Sequence, residues 1–136
     1  MKPVADVYSK EKRSEVMRRV RGANTKPEVA VRRLLHAMGY RFRLHRADLP
    51  GKPDIVLPRR NAVIFVHGCF WHGHAGCEAA ARPAANREYW DRKLDGNLAR
   101  DKRNQAALRR LGWRVMVLWE CRLVSGMEGR LRRFLG

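Results

Sequence analysis

Pro53-Asp54-Ile55-Val56-Leu57-Pro58-Arg59-Arg60-Asn61-Ala62-Val63-Ile64-Phe65-Val66-His67 is the stretch from which the fold is read. Two apolar runs rich in β-branched residues, 54–57 and 62–66, flank the break Pro58-Arg59-Arg60-Asn61. Runs of this kind are strands, and a short break carrying Pro and Asn predicts a hairpin. Asp54 opens the first strand and His67 ends the second. A hairpin therefore brings a carboxylate near an imidazole at one edge of a sheet. A carboxylate there can bind a divalent cation, or it can serve as a turn residue that caps neighbouring amides.

Outward from the hairpin, the chain reads as helices and further strands. Thr25-Lys26-Pro27-Glu28 is a capping box, with Thr25 as N-cap and Glu28 at the third helical position. Val31, Leu34, Leu35 and Met38 follow at helical spacing, and Gly39 is expected to end that helix. Residues 40–44 alternate and predict a strand; residues 49–53 predict a turn. Downstream, Asn86 is expected to cap a helix to residue 94 that Gly96 breaks, with a second helix over 97–111 that Gly112 ends. Residues 113–119 predict a strand buried on both faces, and 127–135 a closing helix. Residues 1–8 are expected to be disordered, and 9–20 to form a short basic helix whose Arg18 and Arg19, with Arg21 just beyond, suit phosphate contact. This order predicts one small α/β domain over residues 1–136, with a mixed central sheet flanked by helices.

The formal net charge is +17, from 30 Lys and Arg against 13 Asp and Glu. With an ordinary apolar fraction of 45%, this is a folded basic chain and not a disordered tail. Its natural partner is a polyanion, and nucleic acid comes first because neutralising phosphates releases counterions. An Arg-rich composition with no such partner is the plain alternative. No apolar segment is long enough for a signal peptide or a membrane span, so a cytoplasmic protein with no membrane contact is expected. Three cysteines do not pair off, and metal binding or simple burial must account for them.

Directly after the hairpin stands His67-Gly68-Cys69-Phe70-Trp71-His72-Gly73-His74-Ala75-Gly76-Cys77. Thiolates and imidazoles this dense can hold a metal, and imidazoles move protons near neutral pH. Phe70 and Trp71, set among Gly and His, are read as an exposed wedge able to part stacked bases. Trp113 and Trp119 are read as core.

Many metal-dependent nucleases place a strand-start Asp beside Glu-x-Lys on the neighbouring strand. Here Phe65-Val66-His67 stands where Glu-x-Lys would be. Together with Leu49-Pro50-Gly51-Lys52-Pro53-Asp54, Val63 to His72, and Gly112-Trp113-Arg114-Val115 through Trp119-Glu120-Cys121, this resembles the very-short-patch (Vsr) mismatch repair endonucleases over nearly the whole chain. The resemblance implies a restriction-endonuclease-like fold of the PD-(D/E)xK type. It implies an enzyme that nicks double-stranded DNA beside the thymine of a T·G mismatch, the mispair left by deamination of 5-methylcytosine. Cleavage would leave a 5′-phosphate and a 3′-hydroxyl.

The same resemblance implies roles for residues. Asp54 is a Mg²⁺ ligand, and Val66, where the family usually has Thr, offers its backbone carbonyl. His72 is the general base, His67 aids the scissile phosphate, and Glu28 completes the site through water. Glu28 is also fully explained as a helix cap, and a carboxylate with two oxygens can do both. A structural Zn²⁺ falls to Cys69, His74, Cys77 and Cys121, with His72 as a competitor to His74 because the spacing before Cys77 is one residue longer than usual. Phe70, Trp71 and Trp90 would enter the base stack. Lys52, Arg87, Arg92, Lys93, Arg100, Lys102 and Arg103 are candidate phosphate contacts, and Asn97 and Asp101 match polar positions near the site; Arg130, Arg132 and Arg133 read as solvated. A monomer working with mismatch-repair proteins such as MutL is expected. Two other readings stay open: a zinc-stabilised nucleic-acid-binding module without catalysis, and a nuclease of the same fold with a different target.

Overall fold

A computed structural model describes residues 25–123 and 126–136. The expectations for residues 1–24 lie outside the described residues. Helix α1 (Lys26–Ala37) leads to β1 (Arg43–Leu44), β2 (Ile55–Leu57) and β3 (Ala62–His67). Helix α2 (Arg87–Arg110), β4 (Arg114–Trp119) and α3 (Met127–Leu135) follow. The sheet order is β1-β2-β3-β4. The first two pairings are antiparallel and β3/β4 is parallel, so the sheet is mixed. A parallel pair needs a long crossover, and α2 supplies it.

Period-two alternation divides the hairpin between two cores. Ile55, Leu57, Ala62 and Ile64 face α1 and α3, where they pack with Val31, Leu35, Leu118, Leu131 and Leu135. Val56, Val63 and Phe65 face the other way and pack with Leu108 of α2. Leu35, Leu57, Leu118 and Leu131 are all fully buried. Burying each such side chain contributes roughly 1.5–3 kcal/mol. The alternation carries on to His67 and Trp119, register partners at the ends of β3 and β4. Both therefore leave the sheet on the side of α2.

Several expected elements differ from what forms. Residues 40–44 shrink to the two-residue β1, because Tyr40 and Phe42 pack against the first core instead of pairing. Gly96 does not break the helix, and α2 runs unbroken through it for 24 residues. A helical Gly costs about 1 kcal/mol, which the buried Leu94, Asn97 and Leu108 on the inner face offset. Asn86 precedes α2 but sits at φ 56 with no side-chain cap bond. The last strand begins at Arg114 and is not buried on both faces. It lies at the sheet edge, and of its residues only Leu118 is buried. Gly39 (φ +88) and Gly112 (φ +96) follow α1 and α2 as expected. Among the described residues no helix is long and apolar enough to cross a membrane.

Candidate active site

One open cleft of about 940 Å³ lies where β2, β3, α1 and α2 meet. Glu28, Lys52, Asp54, Val66, His67, Phe70, Trp71, His72, Asn97, Arg100 and Asp101 all line it. These candidates thus reach one place, although they span more than half of the described chain, while Cys69, His74, Cys77 and Cys121 lie outside the cleft lining. Trp90 joins through its rings, with centroids 5.4 Å from Phe70 and 6.0 Å from Trp71.

The hairpin sets the first wall. Ile55 pairs with Ile64, so Asp54, one residue earlier, falls beside the end of β3. There its Oδ2 accepts the Val66 N–H at 2.7 Å. Burial pushes the Asp54 carboxyl up to about 6, and the Glu28 carboxylate adds to the rise; the Val66 amide, His45 and His72 pull the other way. Glu28 is 2% exposed. Its backbone N–H takes the Thr25 cap at 3.3 Å, while its carboxylate lies 2.7 Å from His45 Nε2 and 3.8 Å from Arg32. The amide serves the helix and the side chain serves the cleft, so the two readings of Glu28 are compatible.

His45 was not anticipated. It follows β1, and the β1/β2 register, Leu44 opposite Ile55, sets it opposite Asp54. Its N–H donates to the Asp54 carbonyl at 3.1 Å. Counting back across the Leu49–Pro53 turn is the signal that would have found it.

The loop after β3 makes the second wall. His72 stacks on His67 with ring centroids 3.7 Å apart and planes 7° from parallel. His72 Nδ1 lies 2.6 Å from Asp101 Oδ2 on α2. Asp101, read from sequence as a polar position of undefined role, thus holds one edge of that imidazole. His67 is buried, and its Nδ1 has no partner among the described residues. Burial above all, then the neighbouring His72, lowers the His67 pKa to about 3, with Asp101 opposing. It is neutral at physiological pH.

Beyond the histidine stack, Cys69, His74, Cys77 and Cys121 bring one donor atom each within 4.8 Å of one another. Three sulfurs and one imidazole suit a tetrahedral Zn²⁺. His74, and not His72, completes the set. Its Nδ1 is 3.3 Å from Cys121 Sγ, and its ring stacks on Trp119 at 4.2 Å. Buried Cys69 is pushed up to about 12 as a free thiol, chiefly by desolvation. That makes it a poor nucleophile without a cation to hold the thiolate. Trp119 also meets His67 edge-on at 5.2 Å. The half-buried Trp119 therefore bridges the two centres and is not simply core.

Trp71 is not an exposed wedge. It is 7% exposed and lies in an aromatic cluster with Phe70 and Trp90, with the exposed Tyr89 against Trp90 at the outer edge. A loop rich in Gly and His looks solvated in sequence, and the packing against α2 that covers it is long-range. Asn97 is buried and occupied: its Nδ2 donates to the Trp71 carbonyl, and its Oδ1 accepts from Arg100, each at 3.0 Å. Of the candidate phosphate contacts, Arg92, Arg100, Lys102 and Arg103 are exposed, while Arg87 is tied to Asp91 at 3.1 Å. Arg132 and Arg133 are exposed, and Arg130 donates to the Arg122 carbonyl.

Comparison with known proteins adds what geometry cannot. Residues 5–79 match the family described as DNA mismatch endonuclease Vsr. Type II nicking enzyme V.XorIIP of Xanthomonas oryzae pv. oryzae is 54% identical over 134 residues, covering 97% of this chain and 98% of that one. DNA mismatch endonuclease Vsr of Escherichia coli K12 is 43% identical, covering 88% of this chain and 76% of its own length. Type II nicking enzyme V.NmeAIP of Neisseria meningitidis is 42% identical, with 88% and 85% covered.

Proposed function

Because the chain belongs to the Vsr family of DNA mismatch endonucleases, we infer that it is a DNA nicking endonuclease, and we propose that it cuts one strand beside the thymine of a T·G mismatch. The observation that carries this reading is a convergence. Buried Glu28 and half-buried Asp54 share one cleft with a histidine held by a carboxylate, His72 and Asp101. The surrounding chain carries a net charge of +17. A binding module needs the charge but has no use for such acid and base groups.

The donor sets fit two cations. Asp54, the Val66 carbonyl and, through water, Glu28 suit Mg²⁺ in a PD-(D/E)xK-type site; the Cys₃His set suits a structural Zn²⁺ with no open position. Bound Mg²⁺ would neutralise charge on the scissile phosphate and make water a better nucleophile. The chain's own groups do the rest. Asp101 fixes the His72 tautomer by accepting a hydrogen bond from Nδ1–H, which leaves Nε2 unprotonated and able to accept a proton from the attacking water. Water adds to phosphorus, the bond to the 3′ oxygen breaks, and that oxygen takes a proton from solvent, so that a 5′-phosphate and 3′-hydroxyl result. Neutral His67 contributes a ring hydrogen bond to the phosphate and not a charge. Lys52 and Arg100 at the cleft suit the flanking phosphates.

For Phe70, Trp71 and Trp90 to enter the base stack, their own cluster must open as DNA binds. A T·G pair is cheaper to unstack than a matched one, so this opening favours the mismatch. The test is nicking of T·G, T·A and C·G duplexes with Mg²⁺ or with EDTA. Cutting of T·G alone, abolished by EDTA, is expected. Equal cutting of T·G and T·A rejects the mismatch target, and tight binding with no cutting of any duplex favours the non-catalytic module.

A further inference from the structure

We propose that His45 gives the cation site at Asp54 a nitrogen donor, so that this site takes imidazole-accepting cations such as Mn²⁺ more readily than Mg²⁺. The inference rests on the reading that Asp54 holds a cation. Its own observation is the convergence of Glu28, His45 and Asp54, whose donor atoms all lie within 4.8 Å of one another. Small side-chain rotations bring such a set onto one ion with bonds of about 2.0–2.2 Å.

Two features suggest that the imidazole is placed there by the backbone. His45 extends the β1/β2 register by one residue and is fixed by its N–H bond to the Asp54 carbonyl at 3.1 Å. It also sits at φ +48. That left-handed conformation is strained for a non-Gly residue and persists only where surrounding contacts hold it. In the absence of an ion, Nε2 meets the buried Glu28 carboxylate at 2.7 Å, with Arg32 at 3.8 Å on the same oxygen. Two carboxylates thus face one imidazole, with a guanidinium at the limit of ion-pair range. A cation bound among them would meet one imidazole nitrogen and two carboxylates. Oxygen-only donor sets suit Mg²⁺, whereas an imidazole in the set shifts preference toward transition metals.

The competing explanation is that His45 only balances the charge of Glu28, and the two differ in whether nitrogen touches the ion. The full-length, zinc-loaded protein would be titrated with Mn²⁺ alone, without DNA, and studied by pulsed electron paramagnetic resonance. Directly bound imidazole nitrogen should modulate the wild-type signal, and ¹⁵N-histidine labelling should change that modulation. His45→Asn keeps a residue that tolerates positive φ. It should erase the modulation, weaken Mn²⁺ binding about tenfold or more, and change Mg²⁺ binding by less than about threefold. Wild-type Mn²⁺ bound without nitrogen coupling would overturn the proposal, as would coupling that survives in His45→Asn and so comes from His67 or His72. The wild-type spectrum decides the matter even if the variant does not fold. Mn²⁺ that fails to bind, or binding indifferent to Asp54→Asn, would overturn the cation site at Asp54 itself and this inference with it.

Discussion

The two walls of the cleft are built by opposite means. The hairpin wall is backbone geometry: Asp54, Val66 and His45 are fixed by strand register and amide bonds, in a core where Ile55, Val56, Val63 and Ile64 are fully buried. The loop wall, from Gly68 to Arg82, has only one short turn of regular structure, Glu78–Ala80. Side chains hold it: the Asn97 bond to the Trp71 carbonyl, the His72–Asp101 pair, and Arg82, which donates to Asp91 at 2.8 Å and Asp95 at 2.7 Å on α2. The hairpin wall should therefore keep its shape without ions, whereas the loop wall should depend on the Cys₃His centre. The proposed catalysis needs both, because Asp54 lies on the first and His72 on the second.

Withholding the cation proposed for the Cys₃His set should break that comparison most severely. A structural zinc site contributes on the order of 10 kcal/mol at neutral pH. Chelation, or Cys69→Ser at a fully buried position, should abolish nicking and cooperative thermal unfolding of the loop wall. Amide protection should collapse over 68–82 while that of β2 and β3 persists. Equal loss across both walls would show that the division does not exist.

Asp54→Asn should have the reverse signature. Nicking should fall by roughly a thousandfold or more, several kcal/mol of transition-state stabilisation, while the cation-free protein gains stability. The sign follows from a folded-state pKa raised from 3.8 to about 6. The folded state binds the proton more tightly than the unfolded chain, so the contribution of Asp54 to stability is fully present below pH 3.8 and is lost as pH rises through about 6. At pH 7 the buried charge costs on the order of 2 kcal/mol. Asparagine can keep the bond from Val66 N–H without that charge. A variant whose melting temperature at pH 7 falls below wild type, or whose melting profile keeps the decline between pH 4 and 7, would contradict this account.

The same contrast governs what could be read from the sequence. The hairpin, the α1 cap and three of the four sulfur and imidazole donors were legible because their signals are local: apolar runs, Thr25 three residues before Glu28, and Cys69, His74 and Cys77 within one short loop; Cys121, beyond β4, came only through the family resemblance. His45 was hidden because its meaning comes from register across a ten-residue connection. Trp71 misled because burial in a polar loop depends on α2, far along the chain. Gly96 misled because a local helix penalty was outweighed by tertiary packing around Leu94 and Asn97. For residues 113–119 the composition suggested a strand buried on both faces, but among the described residues it pairs on one side only, which the sheet order alone reveals.

Asp101→Asn should act more mildly than the changes above. The amide can still contact His72 Nδ1 but no longer requires that nitrogen to carry the proton. The catalytic step should slow by roughly 10- to 100-fold, with affinity for mismatched duplex unchanged. A loss confined to DNA affinity would make Asp101 a feature of the binding surface and not a positioning residue for His72.

The smallest expected effect tests how the loop wall meets α2. Gly73 and Gly76 lie three residues apart in the loop, at φ +62 and φ +74. An alanine at either position incurs about 1 kcal/mol for the left-handed backbone. They differ in what the added methyl would touch. At Gly73 it would lie 3.0 Å from Leu98 Cδ2 and 3.2 Å from Cδ1 on α2, whereas at Gly76 nothing lies within 4 Å. Leu98 is 38% exposed and can partly rotate away, so the extra cost is limited. Gly73→Ala should therefore be less stable than Gly76→Ala by a further ~0.5–1.5 kcal/mol, read as the difference between their melting curves. Gly73→Ala should also lower nicking modestly, because its neighbour His72 depends on the same approach to α2. Identical melting curves for the two variants would mean that the Leu98 contact does not hold the loop, leaving its position to the metal ligands and the Asn97, Asp101 and Arg82 bonds.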